Sequence, residues 1–173
     1  MKYVKIASYE AEKGKIKKVL LFFSGGLDSS IAIKWIKETY GAEVITFTAN
    51  IGQSAGDLDG IKEKALVLGA KKAFVVDLRK DFADNYIAIA IKANGLYQGK
   101  YPLSSALSRY VMVNYAVKLA KKVHADACAH GCTGKGNNQV RFDLAITILN
   151  PQLKVIAPIR EWGITRDKEL KYA

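Results

Sequence analysis

Cysteine is scarce in this chain: two residues in 173, Cys128 and Cys132. With no signal-peptide pattern and no apolar run of membrane length, the expectation is a reduced, cytoplasmic setting and no membrane partner. Acidic residues are also few, 16 against 27 Lys plus Arg, which leaves a net charge of +11. That excess favours polyanions, from ATP to RNA, without choosing between them. The lysine pairs at 17–18, 71–72 and 121–122 flank apolar runs and read as solvated surface. No His, Cys or carboxylate cluster has metal-ligand spacing, so no protein metal ligands are assigned. Internal repeats and low-complexity segments are missing, which removes solenoids and tails from consideration. Neither the P-loop pattern G-x-x-x-x-G-K-[ST] nor the dinucleotide pattern G-x-G-x-x-G occurs.

What is present is a hydrophobic half of the composition, enough for one well-buried domain. The chain is organised around Val19-Leu-Leu-Phe-Phe-Ser24-Gly25-Gly26-Leu27-Asp28-Ser29-Ser30. Five apolar residues in a row predict a strand buried on both faces. Two glycines follow, and then Ile31, Ile33, Trp35 and Ile36 begin a helical pattern. Strand, glycine turn and helix start together make an anion site, because unpaired N–H groups and the positive dipole end face the same point. The plainer alternative is a tight turn with Asp28 or Ser29 as N-cap.

Further strands are expected at Glu43–Ala49, Ala73–Asp77, Asp126–His130 and Lys154–Ala157. Helices are expected from the glycine loop to Tyr40, around Ile61–Leu68, over Asp81–Asn94, over Ser104–Val123 and over Gln139–Asn150. Strands alternating with helices predict a doubly wound α/β fold, with a mainly parallel five-stranded sheet and helices on both faces. Lys2–Ala7 alternates like an extra edge strand. Residues 1–18 are read as an extension, 19–160 as the nucleotide-binding domain and 161–173 as the start of a linker toward a second domain. In such folds ligands lie beyond the carboxyl ends of the strands, at the topological switch. A second glycine-rich loop, His130-Gly-Cys-Thr-Gly-Lys-Gly-Asn-Asn138, follows the fourth strand and should face the same cleft. Arg141, just beyond it, offers a fork suited to a carboxylate.

The first loop resembles the S-G-G-x-D-S/T-S loop of the ATP pyrophosphatases, which cleave ATP between its α- and β-phosphates. Together with Ala49-Asn-Ile-Gly-Gln53, Tyr101-Pro-Leu-Ser-Ser-Ala-Leu-Ser-Arg109, His130–Phe142 and Lys154–Pro158, it resembles the argininosuccinate synthase family, motif by motif and in the same order. That resemblance implies an adenine nucleotide α-hydrolase-like fold and an ATP-dependent carbon–nitrogen ligase. Such a ligase adenylates citrulline, releases pyrophosphate and joins the product to aspartate with loss of AMP. It implies ATP contacts at Phe22, Phe23, Ser24, Gly25, Gly26, Leu27, Asp28, Ser29, Ser30, Ala49 and Gly131. It implies citrulline contacts at Tyr101, Asn137 and Arg141, aspartate contacts at Thr133, Asn137 and Asn138, and a substrate role for Ser105. Mg²⁺ would accompany ATP, with no catalytic side chain assigned. A homo-oligomer and a second domain or partner chain follow from the same resemblance.

Two positions depart from the family pattern. Asn138 stands where a carboxylate is common, and Ala106 lacks a hydroxyl that Ser104 or Ser105 would have to replace. Two other readings stay open: an ATP-dependent RNA-modifying, thiolase-type enzyme, motivated by the charge and Cys132, and a non-catalytic nucleotide-binding module. His124 is read as a helix cap or a surface residue and Cys128 as core.

Overall fold

The computed structural model describes residues 7–54, 56, 58–163 and 172. Five parallel strands form the sheet: β1 (Lys18–Phe22), β2 (Glu43–Asn50), β3 (Lys72–Asp77), β6 (Ala127–Ala129) and β7 (Lys154–Ile156), in the spatial order β3-β2-β1-β6-β7. Helices α1 (Leu27–Tyr40) and α2 (Ile61–Val67) link the first three strands. Helix α5 (Ser104–Val123) leads into β6, and α6 (Asn137–Leu149) joins β6 to β7. The doubly wound parallel architecture expected from the strand–helix alternation is the one observed.

The unbroken apolar run of β1 has a physical reason. Successive side chains point to opposite faces, and both faces are covered. Leu20 and Phe22 join a core with residues of α5 and α6, including Val113, Ala116, Phe142 and Ile146. Val19, Leu21 and Phe23 join a second core with Ile33, Trp35 and Ile36 of α1 and Ala65 of α2. β1 and β2 pair in register from Lys18–Glu43 to Phe22–Phe47, and β1 pairs on its other side with β6.

Several expectations need correction. Of the five strands read as buried, β3 lies at the edge and none of its residues is fully buried. In α2 only Ile61 and Ala65 are buried, while Leu66 and Leu68 lie open. The helix read at Asp81–Asn94 is α3 (Arg79–Phe82), a π-helical turn at Ala83–Ile87, and α4 (Ala88–Lys92). Phe82 and Ile87 are five residues apart, a spacing that the wider π turn brings to one face. Phe82 is buried in the first core and Ile87 packs against it, whereas Ile91 points to solvent. The irregular stretch after Gly95 holds a small antiparallel hairpin, β4 (Leu96–Tyr97) with β5 (Tyr101–Pro102). A last helix, α7 (Pro158–Trp162), begins with proline at its first turn, where the missing N–H costs nothing.

The edge strand read at Lys2–Ala7 lies outside the described residues, apart from Ala7, as does most of the linker read at 161–173. Residues 9–11 do cover the β7 edge. Val155 N–H donates to Tyr9 O at 2.9 Å, and Ala11 N–H donates to Val155 O at 3.0 Å.

Candidate functional site

The site is built at the break in strand order. From β1 the chain moves outward to β2 and β3, then returns to place β6 on the other side of β1. Loops leaving the carboxyl ends of β1 and β6 therefore meet at one point, as a switch point requires. They are the two glycine-rich loops. A Cβ added to Gly131 would lie 3.6 Å from Asp28 Cβ and 3.9 Å from the Ser29 nitrogen, so the loops touch. Between them and β2 opens a cleft of about 970 Å³.

The first loop is shaped by its glycines. Gly25 takes φ +76°, a conformation other residues resist, and a Cβ there would come within 3.3 Å of Ile61 Cδ1. Gly26 is the N-cap of α1, and no side chain caps the helix. Neither Asp28 nor Ser29 fills that role. Ser29 instead donates from Oγ to Gly26 O at 3.0 Å and accepts from the Ser24 N–H at 3.3 Å. Lys64 Nζ donates to Gly25 O at 2.6 Å and brings a cation to the cleft wall. The result is a helix start whose amides face a cavity, with serine hydroxyls and an ammonium beside it.

Ten of the eleven residues expected at ATP line this cleft: Phe22 through Ser29, Ala49 and Gly131. Ser30 does not. Its side chain faces a smaller hollow with Lys34 and Glu38, and its Oγ lies 3.5 Å from Gly25 O. Gln53 shapes the β2 side, donating to Ala49 O and accepting from the Ile51 N–H, both at 2.9 Å.

The residues expected at the amino-acid substrates lie outside the cleft. Tyr101 sits on the hairpin, 60 % exposed, and Ser105, Thr133 and Asn137 are exposed as well. Asn138 and Arg141 are partly buried and joined to each other, Arg141 Nη1 donating to Asn138 Oδ1 at 3.3 Å. The chain thus encloses the proposed nucleotide half of the site and leaves the acceptor half open.

Sequence reasoning missed two features. Arg109 of α5 lines the cleft, near Cys132 and Arg141. Burial, and more weakly Arg141, push its pKa down, which means its charge is poorly solvated. It makes no ion pair with any described residue; its one hydrogen bond runs from Nη1 to Ser108 Oγ at 2.8 Å. A half-buried guanidinium with no acid beside it is suited to an incoming anion. The second feature is a buried charge cluster behind the second loop. His130 Nε2 lies 2.7 Å from Asp143 Oδ1, and Arg160 Nη1 donates to Asp143 Oδ2 at 2.8 Å.

Burial alone would lower the His130 pKa, but hydrogen bonds to Asp143 and Cys132 outweigh it and raise the value to about 9. Asp143, which burial alone would raise, is held below its usual range by His130 and Arg160. The Cys132 N–H also approaches His130 Nδ1 at 3.3 Å, a contact that suits a neutral ring. A ring carrying its proton on Nε2 satisfies both contacts, donating to Asp143 and accepting at Nδ1, and the raised pKa describes the readier uptake of a second proton. Cys128 is fully buried and inert, its thiol pushed up to about 12 by burial. His124 is the left-handed C-cap of α5, as read.

Comparison with known proteins follows the same lines. The arginosuccinate synthase N-terminal HUP domain family matches residues 18–173. The chain is 53 % identical over 156 residues to argininosuccinate synthase of Brevibacillus brevis, covering 90 % of this chain and 37 % of that protein. It is 52 % identical over 156 residues to the enzyme of Sulfolobus acidocaldarius, covering 90 % of this chain and 40 % of that one. It thus spans about two-fifths of the length of these relatives. Among solved structures, a predicted subunit of tRNA methyltransferase from Methanocaldococcus jannaschii is similar in fold at TM-score 0.59 and 20 % identity, covering 90 % of this chain and 73 % of that one. The U34-tRNA thiolase NcsA from Methanococcus maripaludis is similar at TM-score 0.58 and 18 % identity, covering 91 % and 56 %.

Proposed function

Because this chain belongs to the argininosuccinate synthase family, as its N-terminal HUP domain, we propose that it is the ATP-handling part of a carbon–nitrogen ligase. That ligase adenylates citrulline, releases pyrophosphate and couples the citrullyl group to aspartate with loss of AMP. The observation that carries this reading is the meeting of the two glycine loops over one cleft, with an uncapped helix start at its base.

The phosphate chain of ATP lies against the amides of Gly25–Ser29, where helix polarity and N–H donors favour anions. The adenosine lies along Phe23, Ala49 and Gly131. As the citrulline oxygen attacks the α-phosphorus, negative charge grows on the departing pyrophosphate. Preorganised amides, Lys64 and Arg109 stabilise that charge more in the transition state than in the ground state. Among the described residues no group of three or more His, Cys, Asp or Glu could hold a metal. Mg²⁺ accompanying ATP would draw most of its ligands from the phosphates and water, with the chain supplying the cleft around them.

Tyr101, Ser105, Asn137 and Arg141 receive citrulline, while Thr133, Asn137 and Asn138 receive aspartate. These residues are largely open, so the remaining part of the enzyme, a second domain or partner chain within a homo-oligomer, closes over them. Asn138 keeps hydrogen-bonding capacity toward the aspartate amine without adding charge. The Arg141→Ala variant should weaken citrulline tenfold or more while changing ATP affinity less than threefold. Equal losses, read by calorimetry, would remove Arg141 from the acceptor site.

A second reading is favoured by Cys132, which lines the same cleft, and by the +11 charge: an RNA-modifying enzyme of the thiolase type. Label exchange between pyrophosphate and ATP separates the readings. Exchange that needs citrulline supports the ligase. Exchange that needs tRNA supports the second reading. ATP binding with no exchange under either condition leaves a nucleotide-binding module.

A further inference from the structure

The family match begins at residue 18, yet the segment before it reaches the charge cluster behind the cleft. Main-chain bonds to Val155 hold residues 9–11 on the β7 edge, and Lys154 Nζ donates to Ser8 O at 3.0 Å. Glu10, only 4 % exposed, is turned inward, and its Oε1 lies 3.4 Å from Arg160 Nη2. Tyr9 donates from its hydroxyl to Asp143 Oδ2 at 3.4 Å. Arg160 also lies under the second loop: Nη1 donates to Gln139 Oε1 at 3.0 Å, and Gln139 Nε2 donates to Gly134 O at 2.8 Å.

Among the described residues His130 meets Asp143 of α6 and Cys132 of its own loop, and behind Asp143 stand Arg160 of α7 and, on the N-terminal segment, Tyr9 and Glu10. His130 itself lines the cleft. Among the described residues, the carboxylates of Glu10 and Asp143 both meet the guanidinium of Arg160, and Asp143 also meets His130. A buried cluster is least costly when its charges are paired and hydrogen-bonded. Removing Glu10 would take one carboxylate from Arg160 and increase its demand on Asp143.

We propose that the segment Ser8–Ala11 is a positioning element of the cleft, in which Glu10, through Arg160 and Asp143, sets the charge and orientation of His130 and with it the second glycine loop. Neither Glu10 nor Tyr9 touches the cleft itself; they act through the residues that do.

The test uses the whole chain. It holds two histidines, so the imidazole resonances in a pH titration by NMR are readily told apart, with His124 as internal control. In Glu10→Gln, Arg160 loses one carboxylate and draws more on Asp143, so His130 should titrate lower by about half a pH unit or more. Glu10→Asp should recover part of that shift. In Tyr9→Phe, Asp143 loses a donor and pairs more strongly with His130, which should titrate higher. Opposite signs from two neighbouring variants are not what general destabilisation produces. Tyr9→Phe also serves if Glu10→Gln fails to fold.

The second readout rests on the nucleotide reading above: ATP affinity in Glu10→Gln should fall at least fivefold. If wild type binds no ATP, that reading fails, and the titrations still decide the coupling. His130 titrating as in wild type in both variants, with only thermal stability lowered, would overturn the proposal and leave Ser8–Ala11 as a cover for the sheet edge.

Discussion

Gly25 and Gly26 are neighbours with different physical demands. Gly25 sits at φ +76° with Ile61 close by, while Gly26 has an ordinary φ of −72° and only Ser24 Oγ within 3.4 Å of an added Cβ. Gly25→Ala should cost about 1–2 kcal/mol of stability, the penalty for a side chain in the left-handed region. Gly26→Ala should stay within about 0.5 kcal/mol, as expected at a position without strain. Urea unfolding of both variants checks the contrast. The His130–Asp143 pair adds a pH dependence. Asp143 is shifted down, so its contribution is present above the ordinary carboxylate range and lost as pH falls. His130 is raised from its ordinary 6.5 to about 9, so its contribution is complete below 6.5 and lost as pH rises through 9. Stability should therefore decline between pH 6.5 and 9, and His130→Gln should flatten that limb. Little of this was legible beforehand. The glycine pattern pointed to the loop, but nothing in the spacing ties His130 to Asp143 and Arg160, because their meeting depends on where α6 and α7 pack. Arg109 stood inside the Tyr101–Arg109 motif, yet that it lines the cleft with no described acid paired to it shows only once its neighbours are known.

At the scale of elements, strands and long helices were readable wherever burial is two-sided or capping is clear. β1 carries four consecutive apolar residues, and Phe23 just beyond it a fifth, because both faces are covered, and α5 ends at the left-handed His124. Less readable were elements set by one-residue details, such as the π turn at Ala83–Ile87 and the hairpin around Gly99. Helix α6 shows a further limit, since Ile146 and Ile148 look equally suited to the core. Ile146 is fully buried, whereas Ile148 is 75 % exposed, two residues and about half a turn further on. Ile146→Ala should cost about 2–5 kcal/mol and Ile148→Ala less than about 0.5 kcal/mol. Chemical denaturation decides it, and similar losses at both positions would mean that the outer face of α6 is covered in solution.

For the whole molecule, the alternation of strands and helices was sufficient for the doubly wound fold, and the family motifs located the cleft. The acceptor half is different. Its residues were named by resemblance, and they lie outside the cleft, most of them exposed; the chain spans about two-fifths of its relatives' length. The +11 charge remains a feature of the surface as a whole. If it serves only to attract ATP, tRNA should bind weakly and lose affinity steeply with salt, without base preference. The account stands or falls on where the nucleotide sits. Backbone amide shifts followed by NMR during an ATP titration of this chain locate it directly. The account predicts the largest perturbations at Gly25–Ser29, Ala49 and Gly131–Cys132. Saturable ATP binding that leaves those amides unmoved, or moves only residues away from the carboxyl ends of β1 and β6, would contradict it.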